Sequence, residues 1–223
     1  DLVDVRERMY DALESQLKHG FDDPEPFLVY ADWLLQREDP RGALIHAQHR
    51  GIAKHEKAVL KDHAATLIPP GFTKRGDYTL TWKLGFIATA RVGNLANLDE
   101  LLATLLAHPS AALLGELVLD AADYRGAPVD VIARSASPLR KLALGSGIRA
   151  NAWATGNIAG LFSLPRLVDL EITGDRGKLV VTDFADEELG EAKVLKLCLN
   201  AGIIAKNVYN VLEPALKKRN AAA

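Results

Sequence analysis

LGELVL (114–119), LRKLAL (139–144) and LVDLEI (167–172) repeat one pattern, an apolar residue at positions one, four and six. A fourth copy is VLKLCL (194–199), and a degenerate one, IATARV (87–92), precedes them all. The middle positions Ala90, Leu117, Leu142, Leu170 and Leu197 are spaced by 27, 25, 28 and 27 residues. An apolar chain produces one or two such hexads by chance; five at a nearly constant step define a structural repeat. Side chains alternate along a strand, so positions four and six of each hexad point to one side and the residues flanking them to the other.

The segments between hexads read as helices. Leu98, Leu101, Leu102, Leu105 and Leu106 form the stripe of a helix with one buried face, with Asn97 and Glu100 as an N-terminal capping pair and Pro109 as its stop. Shorter helices are expected over 128–137 and 156–164, each followed by a proline (Pro138, Pro165), with a marginal turn over 184–189 and a closing helix from Val208 to Arg219. Strand-plus-helix units of this length cannot bury their apolar faces singly, so they stack. The fold class expected is α/β: a leucine-rich-repeat solenoid with a parallel β-sheet on its concave side and helices on its convex side. It resembles the ribonuclease-inhibitor-like class of such repeats. One departure is that the asparagine or cysteine usual three residues after the last hexad leucine is replaced by Ala122, Gly147, Asp175 and Gly202.

The first 68 residues follow other rules. Leu2, Val5, Met9, Leu13 and Leu17 mark one amphipathic helix closed by Gly20; Asp22, Asp23 and Pro24 open a second, with Phe27, Tyr30, Ala31, Leu34 and Leu35 as its buried stripe. Asp39 to Gly42 reads as a turn, and a third helix runs from Ala43 toward Leu67, interrupted by Gly51. After the break at 68–71, strands over 78–82 and 86–92 surround Lys83-Leu84-Gly85 as a hairpin. The division expected is a helical cap (1–68), a connecting hairpin segment (69–86) and about five repeats (87–223).

The stretch DDPEPFLVYADWLLQREDPRGALIHAQ (22–48) resembles the bacterial repeat-companion domain, whose signature runs DD, LVYADWL, DPRG, Q and which commonly precedes leucine-rich or other repeats. WKLGFI (82–87) is similar to the W-x-x-G-F segment that leads into the repeats of such proteins. The likeness covers about the first quarter of the chain. It implies a bacterial interaction protein and carries no catalytic role.

Composition is that of a globular chain, 48% hydrophobic and 25% charged, with a net charge of −2 that gives no global attraction to nucleic acid or anionic membrane. The single cysteine, Cys198, excludes an intrachain disulfide and suits a reducing compartment, so a cytoplasmic monomer is expected. No apolar run approaches the ~20 residues of a membrane span. His46, His49, His55 and His63 crowd one helix without the H-E-x-x-H spacing of a zinc protease. The acids Asp22, Asp23 and Glu25 are explained as helix caps. Gly174 to Lys178 lacks the spacing of a phosphate loop. Asp32 is expected to pair with Arg41 or to cap the DPRG turn while Trp33 packs. No catalytic, metal or cofactor site follows from these residues.

The expected function is therefore non-enzymatic protein binding through the concave sheet. Residues between the patterned positions line that face in three columns: Thr89, Glu116, Lys141, Asp169, Lys196; Arg91, Val118, Ala143, Glu171, Cys198; and Gly93, Asp120, Gly145, Thr173, Asn200. The first alternates in sign as a charge ladder. The other two, small or apolar at Val118, Ala143 and Gly145, are the expected seat of a partner, with Arg91, Asp120, Glu171, Thr173, Cys198 and Asn200 around it. An alternative is a substrate or regulator of a caspase-like or separase-like protease in a bacterial conflict or cell-death pathway, cut near Arg219 or between Gly174 and Gly177. An enzyme and a nucleic-acid binder rank below both.

Overall fold

A computed structural model describes residues 21–72, 77–93, 97–120, 128–135, 137–145, 164, 166–174 and 177–181. In chain order the elements are α1 (Glu25–Gln36), α2 (Pro40–His49), α3 (Ala53–Asp62), α4 (Ala64–Leu67), β1 (Tyr78–Lys83), β2 (Phe86–Val92), α5 (Leu98–Ala107), a 3-10 turn (Pro109–Ala111), β3 (Glu116–Leu119), α6 (Pro128–Arg134), β4 (Lys141–Leu144), β5 (Asp169–Gly174) and β6 (Gly177–Val181). The architecture is α/β. Among the described residues six strands form one sheet in the order β1-β2-β3-β4-β5-β6. β2 to β5 run parallel, and β1 and β6 lie antiparallel at its two edges.

Each parallel strand is a hexad, and the hexads are in register. Ala90, Leu117, Leu142 and Leu170 are successive partners, as are Val92, Leu119, Leu144 and Ile172. The backbone repeats with them. Gly115 N–H donates to Ala88 O (3.0 Å), Arg140 N–H to Gly115 O (2.8 Å) and Val168 N–H to Arg140 O (2.8 Å), each pair two residues before the middle position. On the far side Asp120 N–H donates to Val92 O (2.8 Å) and Gly145 N–H to Leu119 O (2.7 Å). Register of this kind is set by which side chains must be buried, because a one-residue slip turns every leucine to the other face. Leu117, Leu119, Leu142, Leu144 and Leu170 are buried in one core with Leu98, Leu102 and Leu105 of α5 and Val129 and Ile132 of α6.

The hairpin forms where expected. Leu84 (φ 45) and Gly85 (φ 80) take successive left-handed conformations between β1 and β2, the backbone of the turn that best matches strand twist. Gly85 is demanded twice over, since a Cβ there would lie 2.4 Å from Ile45 Cγ1.

Other elements depart from the sequence reading. DPRG is not a turn but the start of α2, with Pro40 in its first turn and the Asp39 side chain capping it through Arg41 N–H. Proline and glycine signal both structures. What selects helix is Gly42, where a Cβ would stand 2.5 Å from Ala31 O of α1. The single helix expected over 43–67 is three helices, broken at Gly51 (φ 67) and His63. Leu35 is 45% exposed and lies outside the buried stripe of α1. Asn97 makes no side-chain cap; it sits in the left-handed region (φ 58).

The largest departure is at the end of the sheet. The edge of β5 was assigned to the hexad 194–199, yet β6 occupies it, turned back so that Gly174 pairs with Gly177 and Glu171 with Val180. Two glycines with two residues between them, followed after Lys178 by the apolar Leu179, Val180 and Val181, make a hairpin that is closer in sequence than any parallel crossover. Helices expected at 2–17, 184–189 and 208–219, the expected helix 156–164 apart from the non-helical Leu164, and the hexad 194–199 itself lie outside the described residues.

Leu142 is fully buried at the centre of the stacked row. Leu142→Ala is expected to lower unfolding free energy by about 2–5 kcal/mol in chemical denaturation, against well under 1 for the exposed Arg140→Ala.

Candidate functional site

The face of the sheet opposite the core is assembled from the residues between the patterned ones. The register sets Thr89, Glu116, Lys141 and Asp169 in one row and Arg91, Val118, Ala143 and Glu171 in the next. The first row is a charge ladder, as its alternation of sign implies: Lys141 Nζ lies 3.2 Å from Glu116 Oε1. A second ion pair joins Arg91 to Asp120 across β2 and β3.

These two pairs alter the expected seat. On one face of β3, Val118 stands between Glu116 and Asp120, and each of those acids is held by a long cation from a neighbouring strand. Val118 and Ala143 are 8% and 9% exposed and count as buried, so the small apolar centre is covered ground rather than an open pocket. What the face presents to solvent is its charged frame: the side chains of Arg91 (59% exposed), Lys141 (46%) and Asp120 (43%). Glu171 and Thr173 are half-buried on β5.

Of the expected binding residues, the fold brings together Arg91, Val118, Asp120, Ala143, Gly145, Glu171 and Thr173. Cys198 and Asn200, with Lys196 and the cleavage candidate Arg219, lie outside the described residues. The rows do not continue from β5 into 194–199; their next positions are Val180 opposite Glu171 and position 178 opposite Thr173. Val180 is 57% exposed and was missed. Its signal was the Gly174–Gly177 spacing ahead of an apolar run.

A second constellation joins the helices before the sheet to the sheet itself. Leu84 and Phe86 of the hairpin and Leu113 share a buried cluster with Phe27, Tyr30, Ala31, Leu34 and Ile45. Gly85 N–H donates to Gln48 Oε1 at 2.8 Å, and Gln48 Nε2 donates onward to Glu56. Arg41 holds Asp39 with two nitrogens (Nε 3.1 Å, Nη2 2.6 Å), donates to Pro109 O (3.2 Å) and lies over the Phe86 ring. The expected Asp32–Arg41 pair is absent because Asp39, two residues from Arg41, competes locally. Asp32 instead meets His46 at 3.0 Å, while Trp33 stacks between Tyr30 and the Arg37 guanidinium. The residues of the LVYADWL and DPRG stretches thus serve mainly to seat α1 and α2 on the hairpin.

His108 borders this junction. Its Nδ1 accepts from Ser110 N–H at 3.2 Å and so caps the 3-10 turn whose Pro109 carbonyl Arg41 binds. Burial and the Arg41 charge hold its pKa below the ordinary histidine value, against the opposing pull of Asp39. Burial alone would raise Asp39, but the hydrogen bonds and charge of Arg41, with His108, bring it below the usual carboxylate value. Among the described residues no group of three or more His, Cys, Asp or Glu side chains is placed to hold a metal ion, and no helix is long and apolar enough to cross a membrane.

No family model, curated protein or solved structure matches the chain.

A histidine whose folded pKa is depressed takes up its proton more readily when unfolded, so it removes stability as pH falls from neutrality through the ordinary histidine range. His108→Asn keeps an acceptor for Ser110 N–H without the titration. Thermal unfolding between pH 8 and pH 5 is expected to show a smaller acid loss for His108→Asn than for wild type. Parallel curves would mean that His108 does not couple to folding.

Proposed function

We propose that this chain is a non-enzymatic protein-binding scaffold, a repeat-companion-like helical cap seated on a short leucine-rich-repeat stack, and that its partner binds the charged sheet face. The observation that carries the reading is the register of β2 to β5. Four strands repeat one backbone pattern, and their outward residues form aligned rows of fixed charge on a rigid sheet. Positions held this way are preorganised, which lowers the ordering cost of binding a complementary surface. The rows are framed by exposed cations and acids around a covered centre, an arrangement suited to orienting a partner by charge. Compartment follows the same reading: a cytoplasmic scaffold whose one cysteine stays reduced.

The alternative reading, a protease substrate, draws no added support from the described residues. Gly174 and Gly177 pair between β5 and β6, and residues 175 and 176 lie outside the described residues.

Arg91→Glu/Lys141→Glu reverses two exposed charges and leaves every buried leucine in place. A partner captured by wild type from the source organism's lysate, and identified by mass spectrometry, is expected to be lost by this variant while its near-ultraviolet circular dichroism is unchanged. Equal capture by both proteins would move the site off the sheet face. Turnover of any substrate by the purified chain would contradict the scaffold reading itself.

A further inference from the structure

α3 is ten residues long and buries none of them. A helix this short, with no side-chain N-cap, is marginal by its own hydrogen bonds. It is tied to the body by half-buried Val59 and Leu60 and by the 2.9 Å bond from Gln48 Nε2 to Glu56 Oε1, which mark the inner side of the helix. At about 100° per residue, Lys54, Lys57 and Lys61 fall within roughly 60° of one another on the side turned away from Glu56. All three are exposed, as is Arg50 just before the helix. Exposed His49, His55 and His63 flank them.

The contrast with the sheet face is one of pairing. There each cation has an acid, Lys141 with Glu116 and Arg91 with Asp120. On α3 no lysine makes an ion pair among the described residues, although the whole chain carries a net charge of −2. Unneutralised like charges at i, i+3 and i+7 repel one another along a helix and weaken it. Half-buried Val59 and Leu60 offset part of that cost, and the exposed lysines offset none of it.

We propose that the outward face of α3 is a docking element for an acidic, helix-forming segment of a partner protein. The inference rests on the protein-binding reading above and adds a surface distinct from the sheet. Lys54 to Lys61 spans about 10 Å along the axis, so carboxylates at the same helical spacing on a partner meet all three cations together. A nucleic acid fits less well, because an extended polyanion running past so short a stripe would meet a net-negative chain, and no Phe, Tyr or Trp lies among the lysines for a base to stack on. A membrane fits less well too. Ala58 is the apolar residue within the stripe, too small to supply the apolar area that holds an interfacial helix in lipid.

The test is fluorescence anisotropy of the full chain with a labelled peptide about four helical turns long, bearing glutamates at i, i+3 and i+7. The expected result is saturable binding that weakens about tenfold or more between 50 and 200 mM salt, as exposed charge pairs do. Lys54→Gln/Lys57→Gln/Lys61→Gln should weaken it about tenfold or more, with thermal unfolding no lower than wild type, since all three side chains are exposed and their mutual repulsion is removed. Arg134→Gln, far from the stripe in sequence, should leave binding intact. No binding at millimolar peptide, or equal binding by the triple variant, overturns the proposal. So does tighter binding to a DNA duplex or to phosphatidylserine vesicles that the same triple variant abolishes. If peptide binding fails while the Arg91→Glu/Lys141→Glu variant still loses a captured partner, docking at α3 falls and the sheet-face reading stands.

Discussion

One hexad cannot bury its own leucines. A four-residue strand such as β3 has an apolar row on one side and a polar row on the other, and a single helix covers only part of the apolar row. The neighbouring hexad supplies the rest, and this mutual requirement orders the described core. It explains why Ala90, Leu117, Leu142 and Leu170 stand in line although the connections between them differ in length. The row sets the register, and the loops absorb the difference. It also explains why the polar rows are aligned: rows on the reverse of a sheet are in register whenever those on its buried side are.

A stack of this kind has two ends, and each must be closed because an open edge invites pairing with other chains. At the first end, β1 folds back on β2, and the turn between them is driven into the helical cluster. Leu84 is buried in a left-handed conformation unfavourable to leucine, and Gly85 lies so close to Ile45 that no side chain fits. Gln48 and Arg41 complete the seal by bonding backbone atoms of the hairpin turn and of the segment after α5. At the other end the same device appears in simpler form, with β6 folding back on β5. Among the described residues the parallel strands are thus flanked by an antiparallel strand on each side.

Much of this was legible in the residues. The hexads could be read because their pattern has the strand period and their step is nearly constant. The first hairpin could be read because Leu84-Gly85 interrupts two strand-like runs. What escaped was decided by contacts that sequence spacing does not display. Asp39 and Gly42 begin a helix because α1 lies against Gly42. Val118 and Ala143 look open as letters but are walled by Arg91, Asp120, Glu116 and Lys141 once the strands are laid side by side. β6 was overlooked for a different reason: the repeat step pointed so firmly to Leu197 that the nearer hairpin signal, Gly174 and Gly177, was weighed only as a loop.

Among the described strands β6, and not the hexad 194–199, lies beside β5 and extends its outer row. Disulfide trapping tests it most directly, because a disulfide requires Cα atoms about 4.4–6.8 Å apart. Glu171→Cys/Val180→Cys, with Cys198 changed to Ser, is expected to form a disulfide under mild oxidation without loss of the folded signal. If Glu171→Cys, with Val180 and the native Cys198 in place, instead bonds to Cys198 within the same chain, the hexad 194–199 lies beside β5 and the closed stack is wrong.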